Sequence, residues 1–387
     1  MDTNIFSGEP RNPVAALRQF GQSVWLDFMR RSLIDSGELS RRIAEDWLAG
    51  VTSNPAIFQK AIEGNQDYAA PIAQIAKDRA LTPRQVFEKL AVQDIQDAAD
   101  LFLPVYEATQ GVDGFVSLEV APDVAADTRA SIEEGRRLWK QVNRPNLMIK
   151  VPATAEGLPA IATLLEEGIN VNITLLFARA TYEKVAQTFI QALEARLSRG
   201  ESIGRVASVA SFFVSRIDTA VDERIAKKTK ALSGADRAKV EALSGKVAIA
   251  NAKLAYQSYG RIFSGPRWQA LRSQGAAPQR VLWASTGTKN PSYRDVLYVE
   301  ELIGPDTVNT MPPETLNAFR DHGRPRRSLD SGLAEAQAIL DQLEQAGISL
   351  DEVTHSLLID GVKKFVEPYT QLLATIERRV KESAAGS

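Results

Sequence analysis

Eight short apolar runs rich in β-branched residues recur along the chain: Ser23–Met29, Leu48–Asn54, Gly114–Val120, Asn146–Pro152, Ile169–Phe177, Arg205–Val214, Arg280–Thr288 and Asp306–Met311. Between them apolar residues return at helical spacing, as in Pro83–Leu103, Ala125–Gln141, Leu158–Glu167, Ala180–Ser198 and Gly245–Phe263. Strands alternating with helices predict a parallel sheet covered on both faces. Eight such units predict an α/β fold of the closed (β/α)8 TIM barrel type, over about residues 21–313. An open doubly wound sheet is the alternative, but no glycine fingerprint follows the first run. Long gaps before the third and seventh runs predict extra helical insertions. Met311-Pro312-Pro313 ends the last run, and Gly323-Arg324-Pro325-Arg326-Arg327 reads as an exposed basic loop. Residues 314–383 read as a helical C-terminal extension packed on the barrel. Its apolar positions include Ile339, Leu343, Ile348, Leu357, Leu358, Val362, Phe365 and Leu372. The Ala384–Ser387 end is expected to fray.

Composition narrows the chemistry. A chain of 387 residues, 44% hydrophobic, can bury a large core. A net charge of -2 gives no basis for nucleic-acid binding. The absence of cysteine excludes a disulfide framework, a thiolate nucleophile and cysteine metal ligation. The only histidines, His322 and His355, follow the last strand-like run and read as surface or loop residues. A Ser-His-Asp triad and a multi-histidine metal site are therefore not expected. Met1–Arg11 lacks a basic start followed by an apolar run, and no apolar stretch is long enough to span a bilayer. A cytoplasmic protein without a membrane partner is expected, as a monomer or a homodimer.

The polar residues that interrupt the strand-like runs carry the candidate chemistry, because TIM barrels place function at the C-terminal ends of their strands. Lys150 stands among apolar neighbours in Asn146-Leu147-Met148-Ile149-Lys150-Val151-Pro152. A buried lysine finds a partner or loses its proton, and a neutral amine attacks carbonyls. The plainer alternative is a strand-end lysine whose long stem reaches water. Asp27 alternates with Leu26 and Phe28. Thr52 shares a face with Asn54, Glu119 with Ser117, and Asn172 with Thr174. Two carboxylates beside one lysine would supply proton donors and acceptors for imine chemistry. Burial and nearby carboxylates push such a lysine's pKa in opposite directions, and the sequence leaves the balance open. Later runs add Ser211, Phe213 and Arg216. The turn Ser285-Thr286-Gly287-Thr288-Lys289-Asn290 adds Ser285 and Lys289, where barrels often bind phosphate. A simple polar turn is the alternative there.

These residues occur in an order that resembles the transaldolase family, in its longer bacterial branch. The resemblance rests on Gly50-Val51-Thr52-Ser53-Asn54-Pro55, Val116-Ser117-Leu118-Glu119-Val120, Ile149-Lys150-Val151-Pro152, Ile169–Phe177, Ser211-Phe212-Phe213-Val214-Ser215-Arg216 and Trp283–Pro291. It implies one transaldolase domain over residues 1–387, with no metal and no organic cofactor. The implied reaction moves a dihydroxyacetone unit between sugar phosphates, from sedoheptulose 7-phosphate to glyceraldehyde 3-phosphate, in the non-oxidative pentose phosphate pathway. By resemblance, Lys150 forms the Schiff base and Glu119 with Thr174 holds a proton-shuttling water. Asp27 takes the proton next to the bond that breaks. Asn54, Asn172 and Ser211 bind hydroxyls, Thr52 shapes the pocket, and Phe213 is a further substrate-binding residue. Arg216 grips phosphate with Ser285 and Lys289, where many relatives have a second arginine in place of Lys289. A fructose-6-phosphate aldolase-like enzyme is the nearest competitor, but that branch tends to carry glutamine and tyrosine where this chain has Glu119 and Phe213. A non-catalytic sugar-phosphate sensor is a further alternative.

Overall fold

The computed structural model describes Phe6, residues 8–78 and residues 80–385. Met1–Ile5, from the segment read for a leader, and Gly386-Ser387, from the expected frayed end, lie outside the described residues.

All eight apolar runs form strands: β1 Gln22–Asp27, β2 Gly50–Thr52, β3 Phe115–Glu119, β4 Leu147–Pro152, β5 Val171–Leu176, β6 Ser208–Phe213, β7 Arg280–Ala284 and β8 Thr307–Met311. Every residue of β4, β5 and β6 is buried, as expected for strands covered on both faces. Each strand pairs parallel with the next, and β8 pairs parallel with β1. This is the closed barrel read from the alternating pattern.

The strands are shorter than the apolar runs, for local reasons. The run Leu48–Asn54 stops at Thr52 because Asn54 leaves the sheet to cap the next helix; its Oδ1 accepts from the Ile57 N–H at 2.9 Å. The run Arg280–Thr288 stops at Ala284 because Ser285 adopts a left-handed φ of 58°. The run from Arg205 enters the sheet only at Ser208.

Five expected helices appear as Pro83–Ala108, Thr128–Val142, Gly157–Glu166, Arg179–Ser198 and Val247–Ile262. Thr82 and Gln85 form a reciprocal capping box at the start of the first. Insertions fall where expected. Pro55–Glu63 and Ala69–Ile75 precede β3, and Ser215–Thr229, Gly234–Glu241 and Pro266–Ser273 precede β7. At the N-terminal end of the barrel, Arg280 bridges Ser23 Oγ and Asp113 Oδ1, both at 2.8 Å, and Arg18 reaches Asp113 Oδ2 at 3.2 Å. This buried network plugs the bottom and leaves the other end as the open mouth.

The Pro313–His322 helix packs back on β8 and β1. His322 and His355 are exposed, and so are Arg324, Arg326 and Arg327 of the basic loop. The Leu333–Gln345 helix packs on Val247–Ile262. The C-terminal helix, Leu350–Ala385, lies across the barrel against Pro55–Glu63, Pro83–Ala108, Ser215–Thr229 and β5. Gly361 permits that close approach, since a Cβ there would stand 2.8 Å from Leu175 Cδ2. No described helix is long and apolar enough to cross a membrane.

Candidate active site

Register brings the candidate groups together. Glu119 pairs laterally with Lys150, and Lys150 with Asn172, so three polar side chains from β3, β4 and β5 share one level inside the barrel. Asp27 and Thr52 pair in the same way across β1 and β2. Lys150 is only 5% exposed. Its Nζ donates to the Ser53 carbonyl at 3.2 Å and lies 3.1 Å from Glu119 Oε2. That second contact is a buried ion pair. Thr174 Oγ1 is buried without a partner among the described residues.

Beneath the amine runs a hydrogen-bond chain. Ser211 Oγ donates to Asn172 Oδ1 at 2.7 Å, and Asn172 Nδ2 donates to Ser117 Oγ at 3.0 Å. The chain ties β6, β5 and β3 together under Lys150. Burial pushes the Asp27 carboxyl above its usual range, against the pull of Lys150, Arg216 and Lys289. Glu119 is likewise pushed up by burial, with Lys150 as the main opposing charge.

A cavity of about 390 Å³ opens above Lys150 at the C-terminal ends of the strands. Arg216, the second residue of its helix, lies with its guanidinium 4.9 Å from the centre of the Phe213 ring. Burial lowers the Arg216 pKa from its ordinary value, opposed by Asp27 and Glu119. Neither Arg216 nor Lys289 forms a close ion pair or hydrogen bond with the described residues; both line the cavity, the half-buried Arg216 in the field of Asp27 and Glu119 and the exposed Lys289 in that of Asp27. Such a pair suits an anion on a sugar-sized ligand. Among the described residues, no group of three or more His, Asp or Glu is placed to hold a metal.

Asp27, Thr52, Asn54, Lys150, Thr174, Ser211, Phe213, Arg216, Ser285 and Lys289 all line this cavity. Glu119 and Asn172 do not line it. Glu119 stands behind the amine against a smaller void, and Asn172 sits beneath it in the hydrogen-bond chain. Asn54 has its oxygen committed to the helix cap, which leaves its NH2 free for a ligand. Ser285 is engaged with Ser215, Oγ to Oγ, at 3.0 Å. Sequence reading missed Lys60, Thr310 and Phe365, which also line the cavity. Lys60 shares a helix face with Ala56 and Ile57, a signal legible once Asn54 is known as the cap. Thr310 Oγ1 is buried and unpartnered. Phe365 comes from the C-terminal helix, its ring centre 6.0 Å from Lys150 Nζ.

The comparisons agree with this architecture. A family model described as Transaldolase/Fructose-6-phosphate aldolase matches residues 24–376. A protein of Trichodesmium erythraeum named Transaldolase is 47% identical over 96% of this chain and 98% of its own length. One named Transaldolase from Thiobacillus denitrificans is 48% identical over 92% of this chain and 98% of its own. One named Transaldolase 2 from a Nostoc species is 46% identical over 96% and 98%. A match spanning the whole barrel and the C-terminal helix, at this identity, shows that the chain belongs to the transaldolase/fructose-6-phosphate aldolase family.

Proposed function

We propose that the chain transfers a dihydroxyacetone unit between sugar phosphates through a Schiff base on Lys150. The observation that carries the reading is one buried amine, ion-paired with Glu119 and in the field of the half-buried Asp27, beside a cavity that Asp27, Arg216 and Lys289 also line. The amine, when neutral, adds to the ketose carbonyl. Glu119, with a water held between it and Thr174, carries the protons needed to expel hydroxide as water. The resulting iminium withdraws electrons from the adjacent carbon–carbon bond. Asp27 removes the hydroxyl proton on the far side of that bond, the bond breaks, and an aldose phosphate leaves. The three-carbon enamine stays on Lys150 until a second aldose phosphate accepts it by the reverse sequence.

Asn54, Ser211 and Asn172 are the hydroxyl partners in this reading, with Thr52 and Phe213 as walls. Arg216 and Lys289 hold the phosphate, with Ser285 beside them. Sedoheptulose 7-phosphate and glyceraldehyde 3-phosphate would give erythrose 4-phosphate and fructose 6-phosphate, a cytoplasmic step of the non-oxidative pentose phosphate pathway. Glu119 and Phe213, together with relatives named Transaldolase, favour transfer over simple aldolase release.

Borohydride added with fructose 6-phosphate should fix a three-carbon adduct to the peptide containing Lys150. Adding erythrose 4-phosphate before the reductant should drain it. Lys150→Met should fold and give no adduct and no transfer. Measurable transfer by that variant would exclude Lys150 as the nucleophile.

A further inference from the structure

We propose that Tyr293 and Asp222 are positioning residues: they clamp the loop carrying Lys289 onto the helix carrying Arg216, and so set the preference for phosphorylated substrates. The proposal rests on the reading of Arg216 and Lys289 as a phosphate pair. On the Ser215–Thr229 helix, Ser215, Asp218 and Asp222 recur at the spacing of one helical face. Each fastens the segment that follows β7. The Ser215 N–H donates to the Ser285 carbonyl at 3.0 Å, and the two serine hydroxyls meet at 3.0 Å. Tyr293 OH donates to Asp222 Oδ2 at 2.6 Å, and Tyr298 OH donates to Asp218 Oδ2 at 2.9 Å. Lys289 lies between the first two ties.

The loop's start is anchored where buried Thr286 Oγ1 donates to Asn309 Oδ1 at 2.9 Å, but its later part, from the exposed Lys289 on, is less enclosed. A cavity of about 310 Å³ lies beside it, lined by Asp222, Lys289, Asn290, Tyr293 and Tyr298. Without the tyrosine tie, the loop has room to relax, and a lysine on a long stem loses its aim. The tie itself is built. Gly245 has φ +71°, its N–H donates to Asp222 Oδ1 at 3.2 Å, and a Cβ there would come within 2.7 Å of Tyr293 Cζ. Asn290 shapes the turn between lysine and tyrosine, accepting from the Ser292 N–H at 2.9 Å and the Tyr293 N–H at 3.1 Å.

The test compares rates of borohydride-trapped adduct formation from fructose 6-phosphate and from unphosphorylated fructose, with no acceptor present. Tyr293→Phe should lower the ratio of the two rates on the order of tenfold, through the donor that carries phosphate. Asp222→Ala should do the same, while Asp222→Asn, which can still accept from Tyr293, should keep more of the ratio. Lys289→Ala is the reference and should lower the ratio at least as far. A native ratio in Tyr293→Phe beside a lowered one in Lys289→Ala would overturn the clamp alone. A native ratio in both would overturn the phosphate reading beneath it. Equal losses with both donors would mark Tyr293 as structural and overturn the proposal as well.

Discussion

Desolvation raises the pKa of both Asp27 and Glu119, yet the two face different bonds. Glu119 is paired with the amine itself, whereas Asp27 lines the open cavity. Their proposed steps are therefore separable. Glu119→Gln should slow imine formation, so little adduct of any size is trapped from fructose 6-phosphate at early times. Asp27→Asn should leave imine formation standing and block bond cleavage, so the trapped adduct keeps all of the ketose carbons. Each variant should lose roughly 100-fold or more in transfer, the usual scale for a removed general acid or base. Mass spectrometry of the Lys150 peptide reads the difference. A three-carbon adduct forming at the native rate in Asp27→Asn would remove that residue from the cleavage step.

At the scale of elements, the Ser215–Thr229 helix carries a cost. Burial pushes the Asp218 carboxyl up to about 7, against hydrogen bonds from the Ala248 N–H and Tyr298 OH, and Asp222 nearby raises it further. A folded-state pKa above the unfolded one means stability that is present below the ordinary aspartate value and is lost as pH rises through about 7. The difference corresponds to about 4 kcal/mol at most. An amide can keep both hydrogen bonds without charging, because its oxygen can accept from Ala248 and its NH2 can donate to the tyrosine oxygen. Asp218→Asn should therefore match the native protein near pH 4 and gain on it as pH rises to 8, measured by urea unfolding. Parallel stability curves would show that the charge on Asp218 is not being penalised.

The same elements explain what the sequence could and could not convey. Buried strands announce themselves because apolar residues dominate them and charges are rare there, so a lone lysine or carboxylate is conspicuous; Lys150, Asp27 and Glu119 were legible for this reason. Strand ends were not, because they depend on single residues, such as the cap at Asn54 and the left-handed turn at Ser285. The ties between Tyr293 and Asp222 join residues 71 positions apart, and no periodicity encodes them. Phe365 was legible as an apolar position on a helix. Which apolar residue of that helix would reach the lysine depends on how the helix crosses the barrel.

For the whole molecule, the last helix completes a site begun by the first strand. Gly361 seats that helix on Leu175, a residue held at φ 60° next to Thr174, where the β5–β6 register shifts. One turn later Phe365 comes over Lys150. An aromatic face near a cation is worth about 0.5–2 kcal/mol, and the ring also keeps water from the reacting centre. The apolar cover favours holding the neutral three-carbon enamine until an acceptor arrives. Phe365→Ala should therefore shift partitioning roughly tenfold toward free dihydroxyacetone, because the exposed enamine is protonated and its imine hydrolysed before transfer. Phe365→Leu keeps most of the apolar cover, so its partitioning should stay nearer to native than to alanine. The measurement is dihydroxyacetone released from fructose 6-phosphate, divided by the unit passed to erythrose 4-phosphate under the same conditions. An unchanged quotient in Phe365→Ala would mean that retention is set by groups within the barrel, such as the hydroxyl contacts proposed for Asn54 and Ser211, and that the C-terminal helix only packs against its rim.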